Sequence, residues 1–275
     1  MSLRRPSRMT AFLKHMNRPI ITLTTDFGTR DGYVGAVKGV IKRINPQAEI
    51  VDVTHEIEPF DVLGAAFALN SFYRFFPRGT IHLVVVDPGV GGRRQPLLIK
   101  SEDFFFVGPD NGILSFLFRD ERITEIIVLS AQQYFLNEIS NTFHARDLFA
   151  PVAAYLSLGV DVNEFGKPAK ECLKLNIEEP KRTGTGLVGE VIHIDRFGNL
   201  ITNIPVRSIQ NKRIAKIVVA NREIARMSQP YFEIPLRKIG AIVGSSGFLE
   251  MAVNQGSAWK VSKARIGSPV KISFR

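Results

Sequence analysis

Val84-Val-Val-Asp-Pro-Gly-Val-Gly-Gly-Arg-Arg94 is the stretch on which the fold turns. Apolar β-branched residues run into a carboxylate, Asp87. Pro88 then ends the strand, because it has no N–H to give a ladder. Gly89, Gly91 and Gly92 permit backbone angles and close approaches that side chains block. The loop closes on two guanidinium groups, Arg93 and Arg94. A buried strand therefore carries an acid to its tip, and a glycine loop can fold an arginine back over it. In open α/β sheets, ligands bind outside the carboxyl ends of the strands. By itself the stretch reads equally as a strand and a tight turn, since Asp-Pro-Gly is ordinary turn chemistry.

Upstream, Ile20 to Thr24 reads as a buried strand ending in Thr25-Asp26-Phe27-Gly28. Tyr33, Val34, Val37, Val40, Ile41 and Ile44 recur at helical spacing, and Asn45-Pro46 stops that helix. Glu49 to Val53 is the next strand, followed by His55. Asp61 is placed to cap a helix whose apolar face runs from Val62 to Phe76. Strand, helix, strand, helix, strand implies parallel pairing through right-handed crossovers. The tips then bring Asp26, the His55 loop and Asp87 to one rim. Downstream, Pro96–Ser101 and Phe104–Val107 read as a hairpin, and Ile123–Leu129 as another strand. Asn141 to Asp147 precedes a helix carrying Leu148, Val152, Tyr155 and Leu156, with Gly159 at its C′ position. After Cys172 the helical signals fade into polar, aperiodic sequence. Short alternating strands then recur at 189–194, 200–204, 213–219, 249–253 and 270–274. The expected class is α/β: an N-terminal α/β domain (19–175) with a mainly parallel central sheet. A linker (176–186) and a smaller all-β, barrel-like C-terminal domain (187–275) follow. Residues 1–18 read as a flexible basic extension.

The chain has 275 residues and a formal charge of +10. Its basic residues are scattered among acids, which argues against a nucleic-acid interface. No apolar run approaches the roughly 20 residues of a transmembrane helix. With Cys172 as the one cysteine, no intrachain disulfide can form, and a cytoplasmic location is expected.

Several short motifs occur in order: Thr24-Thr-Asp-Phe-Gly28, Val53-Thr-His55, Val86-Asp-Pro-Gly-Val-Gly91, Gly108-Pro-Asp-Asn-Gly112, Thr142-Phe-His-Ala-Arg-Asp147, Ile194-Asp-Arg-Phe-Gly-Asn199 and Ala252-Val-Asn254. Together they resemble the S-adenosylmethionine hydroxide adenosyltransferase family, the water-using relatives of fluorinase and chlorinase. The resemblance covers Pro19 to Arg275. It implies a homotrimer of two-domain subunits with the ligand between neighbouring subunits. The implied reaction is S-adenosylmethionine plus water giving adenosine plus methionine, with no cofactor and no metal. The water-activating trio falls on Asp87, Arg94 and His144, and either Asp87 or His144 is the base. By the same resemblance Asp26 accepts both ribose hydroxyls, and Asp195 holds the methionine ammonium. Asn199 reads the adenine edge, Phe197 stacks on it, and Ser245 contacts the methionine carboxylate. Glu250, Val253 and Asn254 lie on a strand reaching the adenine. Phe60 and Phe143 are candidate aromatic contacts, and Phe60 is also placed as a hydrophobic staple before Asp61. Asp110 and Asn111 are either pocket residues or turn residues, and Tyr231 is a further stacking candidate. His55, His82 and His193 are expected to be satisfied polar residues rather than catalysts.

Within the resemblance, halogenases carry tyrosine at the position of Asp87 and an inserted loop. The carboxylate here would repel a halide, which favours water. A halide-using transferase, a non-catalytic adenosine-binding protein and a nucleic-acid-binding protein are the alternatives.

Overall fold

The structure, a computed structural model, describes residues 18–224, 227–228 and 230–275. The expected basic extension therefore lies, Arg18 apart, outside the described residues. The chain divides into two compact units, one reaching to Leu175 and the other running from Asn176 to Arg275.

In the first unit, β1 (Ile20–Thr25), β2 (Glu49–Thr54), β3 (Ile81–Val85) and β5 (Phe105–Pro109) form the parallel half of a seven-stranded sheet. The antiparallel half adds β4 (Pro96–Ser101), β6 (Ile123–Leu129) and β7 (Gly166–Pro168), giving the order β2-β1-β3-β5-β4-β6-β7. The centre of this sheet is covered on both faces. Ile21, Leu23, Leu83 and Val85 join one apolar cluster, while Val84 and Val86 join another. Both sets are almost wholly buried. That is why the strand ending in Asp87 reads as a continuous apolar run and not as an alternation.

Helix α1 (Tyr33–Ile44) buries Val37 and Ile41, and Lys42 and Arg43 sit in its last turn, where cations complement the helix dipole. Helix α2 (Val62–Phe72) is capped by Asp61, whose Oδ1 accepts the Gly64 N–H at 2.8 Å. Its apolar stripe was expected to run on to Phe76. The α-helix instead ends at Phe72 and tightens into a 3₁₀ turn over Tyr73–Phe75, a common way for a helix to finish. A short helix, α3 (Leu117–Asp120), precedes β6. The segment after His144 is a single π-helical turn, Ala145–Phe149, that runs into α4 (Ala150–Ser157). Gly159, at φ +90°, follows as its left-handed stop.

The second unit is all antiparallel in its strand ladder. Its path is β12 (Arg222–Ile224), β11 (Ile214–Val219), β15 (Pro269–Phe274), β9 (Gly186–Ile194), β10 (Leu200–Pro205), β14 (Phe248–Val253) and β13 (Ile239–Val243). Just past β12, Met227 bridges Ala241 of β13, and the Ser228 N–H donates to the Ala241 carbonyl at 2.8 Å. The path thus nearly closes on itself as a barrel. Part of the stretch expected as a linker is folded. β8 (Lys181–Thr183) pairs with β9, and the Glu178 carbonyl accepts from Asn203 Nδ2 at 2.7 Å.

Candidate active site

Because β2, β1 and β3 are parallel neighbours, their carboxyl ends lie side by side. Asp26 follows β1, His55 follows β2, and Asp87 follows β3. The loop after Asp87 turns back as its glycines require. Gly91 has φ +73°, and a Cβ there would sit 2.1 Å from the Asn141 carbonyl oxygen. The glycine loop therefore lies directly against 141–144, and this contact delivers His144 to the tip of β3. Asp147, fully buried, anchors that second loop. Its Oδ2 accepts the Ser140 N–H at 2.8 Å, and both its oxygens accept from Arg146.

Asp87, Arg94 and His144 converge. Arg94 Nε–H donates to Asp87 Oδ1 at 3.0 Å, and Arg94 Nη2 donates to Asp87 Oδ2. This is the paired, planar contact that suits a guanidinium and a carboxylate. Arg94 Nη2 also lies 2.8 Å from His144 Nδ1. Both charged side chains are nearly buried, at 9% and 6% exposure, and the guanidinium lies 5.3 Å from the centre of the Phe149 ring. Arg93, in contrast, is exposed, so Arg94 is the inward arginine.

A guanidinium has no acceptor, so His144 Nδ1 must offer its lone pair. The ring is then neutral, with its proton on Nε2. The electrostatics agree: burial pushes the His144 pKa below the usual histidine value, and the Arg94 cation pushes it further down, against Asp87 and Asp147. Arg94 thereby fixes both partners, holding Asp87 as a gripped carboxylate and His144 as a donor through Nε2.

These groups border a cavity of about 370 Å³ lined by residues that include Asp26, Asp87, His144, Phe143 and Phe60. Its size falls within the roughly 300–1,000 Å³ range of small-ligand sites. Arg94 is not among the lining residues; it lies behind Asp87 and His144. Asp26 Oδ2 accepts the N–H of Phe60 at 3.0 Å, and Phe60 itself is at φ +70° with its ring exposed. Phe27, Tyr33 and Phe143 pack edge to face or tilted, with centroids 5.1 to 6.1 Å apart, as one aromatic wall. Phe27, Tyr33, Pro59, Val90 and Thr142 line the cavity without having been singled out in the sequence. Of these, Phe27, Val90 and Thr142 lie inside quoted motifs, and the helical period places Tyr33 in the first turn of a helix.

Asp110 and Asn111 are not brought to this cavity. Asp110 Oδ1 accepts the Leu173 N–H at 2.7 Å. Asn111 Nδ2 donates to the Val86 carbonyl at 2.8 Å, and its Oδ1 accepts from Ile113 N–H at 3.1 Å. Asn111 thus ties the turn after β5 to the end of β3, and Asp110 ties it to the segment at Leu173.

In the second unit, Asp195 accepts from the Asn199 backbone at 2.8 Å and from Asn199 Nδ2 at 2.9 Å. Tyr231 Oη donates to Glu250 Oε2 at 3.4 Å. Burial, and then the negative charge of Asp195, push the Glu250 pKa above the usual glutamate value. A Cβ at Gly244 would lie 1.6 Å from Glu250 Oε1, so a side chain there would displace that carboxylate. Phe197 is 77% exposed on its turn. Ser245 is exposed, Val253 is buried, and Asn254 Nδ2 donates to the Ile234 carbonyl at 2.7 Å.

Comparison with known proteins agrees with the resemblance. A family model described as the SAM hydroxide adenosyltransferase N-terminal domain matches residues 21–166, and the corresponding C-terminal domain model matches 189–271. A protein of Methanocaldococcus jannaschii named (R)-S-adenosyl-L-methionine hydrolase is 36% identical over 257 residues, covering 88% of this chain and 91% of its own. One of the same name from Thermus thermophilus is 33% identical, over 93% of this chain and 99% of its own. A fluorinase of Actinopolyspora mzabensis is 24% identical over 94% and 98%. A crystal structure of an uncharacterised conserved protein from Thermotoga maritima superposes with a TM-score of 0.86 at 36% identity, covering 92% of this chain and 99% of that one. On both domain models and on these full-length matches, the chain belongs to the SAM hydroxide adenosyltransferase family.

Proposed function

We propose that this chain is a hydrolase that converts S-adenosylmethionine and water to adenosine and methionine. The observation that carries the reading is the convergence of Asp87, Arg94 and His144 behind a nucleoside-scale cavity. Relatives named S-adenosyl-L-methionine hydrolase, covering most of the chain at 31–36% identity, support it.

The chemistry follows from the groups present. The sulfonium of the substrate lets methionine depart as a neutral thioether. Water oxygen bonds to ribose C5′, the C5′–S bond breaks with its electron pair going to sulfur, and one water proton must leave. His144 bears its proton on Nε2, so that nitrogen serves as a donor that orients the water. Asp87 keeps free lone pairs beside its two Arg94 contacts and takes the proton. Arg94 acts through both, as a positioning residue. Holding water in line with the leaving group draws on the same source as intramolecular reactions, where positioning is worth up to ~7–11 kcal/mol. Asp26 takes the ribose hydroxyls, and the Phe27–Tyr33–Phe143 wall covers the nucleoside. In the second unit, Asp195 takes the methionine ammonium, a charge-assisted contact, and Ser245 the methionine carboxylate. Asn199 reads the adenine edge, Phe197 and Tyr231 stack on it, and the strand carrying Glu250, Val253 and Asn254 reaches it.

The test is to incubate pure protein with S-adenosylmethionine in heavy-oxygen water and separate the products. Adenosine labelled at its 5′-hydroxyl supports the reading. No adenosine, or equal turnover by Asp87→Ala, defeats it. The same run in chloride or fluoride separates hydrolysis from the halide alternative, which would give a 5′-halogenated nucleoside. The reaction is proposed to need no metal and no cofactor, so chelation should leave the rate unchanged. We further propose a cytoplasmic homotrimer; among the described residues no helix is long and apolar enough to cross a membrane. Sedimentation at about three times 30.7 kDa supports that assembly, and a monomer rejects it.

A further inference from the structure

Behind the cavity runs a chain of polar side chains that the reaction itself does not use. Lys38 Nζ donates to Asp52 Oδ2, and Asp52 Oδ1 lies 3.1 Å from His55 Nε2. His55 Nδ1 lies 2.8 Å from Thr25 Oγ1, and the Phe27 N–H donates to Thr25 Oγ1 at 3.3 Å. A carboxylate only accepts, so His55 Nε2 bears the proton. In the neutral ring Nδ1 is then a lone pair that takes the Thr25 hydroxyl hydrogen, and the Thr25 oxygen is free to accept from Phe27. Donor and acceptor thus alternate without conflict from Lys38 to Phe27. Asp52 remains charged: burial raises its pKa, but hydrogen bonds from Lys38 and His55 outweigh that and hold it below the usual aspartate value.

The order Asp, His, Thr imitates a nucleophilic triad. The hydroxyl cannot play that part. Thr25 is 3% exposed, and neither Thr25 nor His55 lines the cavity. What the chain does reach is the pair of residues on either side of Asp26. Backbone contacts add to it, because Gly28 N–H donates to the His55 carbonyl at 2.7 Å and Ile57 N–H to the Thr25 carbonyl at 3.4 Å. β1 and β2 shift register between Leu23 and Thr24, while β1 stays in register with β3 as far as Thr25 and Val85, so the ladder ends one residue short of Asp26. Among the described residues, the Asp26 carboxylate takes one backbone N–H, that of Phe60.

We infer that His55 is a positioning residue, which through Thr25 fixes the backbone on both sides of Asp26 and so sets that carboxylate for the two ribose hydroxyls. This rests on the reading of Asp26 as the ribose acceptor. It makes His55 a determinant of nucleoside selectivity without contact to the nucleoside.

The test is calorimetric binding of adenosine and of 2′,3′-dideoxyadenosine, which lacks both hydroxyls, to the full chain. His55→Leu and the milder Thr25→Val each remove one link. Each should weaken adenosine about tenfold, the scale of one hydrogen bond, and leave the dideoxy compound within twofold. In an Asp26→Ala background, neither substitution should cost anything further for adenosine. If Asp26→Ala weakens adenosine selectively while both link variants bind the two ligands as the wild type does, or weaken both ligands equally, the inference is overturned. If the wild-type chain does not bind adenosine, or Asp26→Ala fails to distinguish the two ligands, the underlying reading of the site fails instead. Should His55→Leu not fold, Thr25→Val decides alone.

Discussion

At the scale of single residues, the site depends on a guanidinium that does not touch the cavity. Arg94→Lys keeps the charge but loses the fork that binds Asp87 through two nitrogens and reaches His144. Turnover should fall by roughly 10²-fold, the scale of one preorganised electrostatic contact, while the melting temperature changes little; steady-state kinetics with a thermal melt checks both. The pH profile follows from His144. Its folded pKa lies below 6.5, so the neutral, Nε2-protonated ring persists above that and is lost as pH falls through the lowered value. Turnover should therefore be flat near neutrality, with an acid limb below pH 6.5. A His144→Asn variant should be slower and should lack that limb. A limb centred above pH 6.5 would contradict the tautomer assigned here.

Among the secondary-structure elements, the glycine loop after β3 is the most constrained. Gly91→Ala would force a methyl group onto the Asn141 carbonyl at a left-handed backbone angle. The expected cost is about 1–3 kcal/mol, with loss of turnover because 141–144 carries His144. Denaturant unfolding and a rate assay measure the two effects. The parallel half of the sheet was readable in advance because its signals are local. Apolar runs ended in Asp26 and Asp87, α1 followed a helical period, and Asp61 announced its cap. Other features could not be read that way. β12 is three residues long, and β13 is diluted by Gly240 and Ala241, where Gly240 is small because Ile234 packs on it. The aromatic wall joins Phe27 to Phe143 across most of the domain's sequence, and no periodicity reports such a contact. Asp110 and Asn111 show the opposite limit. A polar turn next to a strand end reads alike as pocket or turn, and its hydrogen bonds to Leu173 and Val86 leave no mark in the local sequence.

For the whole molecule, one contribution to acid stability comes from a histidine that does not line the cavity. His82 is fully buried among Phe72, Tyr73, Phe76, Phe104 and Phe106, and its Nδ1 is paired with Thr22 Oγ1 at 2.8 Å. Burial pushes its pKa down from 6.5 to about 3. The unfolded chain therefore binds a proton that the folded one refuses. Stability is full above pH 6.5 and is lost as pH falls toward 3, by up to ~1.4 kcal/mol per pH unit from this group. Melts across that window should show the slope, and His82→Phe should flatten it even if its own melting point is lower for want of the Thr22 contact.

The bridge between Met227 and Ala241 has a consequence for how the protein behaves in a crowded solution. An open antiparallel sheet offers a row of unsatisfied amides onto which a stray strand can add, and sticky rings beside such a row invite fibre growth. With Met227, just past β12, bridged to Ala241 of β13, the C-terminal unit covers part of that template. Phe197 and Phe232, each more than three-quarters exposed, can then stand at the surface of this unit without a bare strand edge beside them to nucleate fibres.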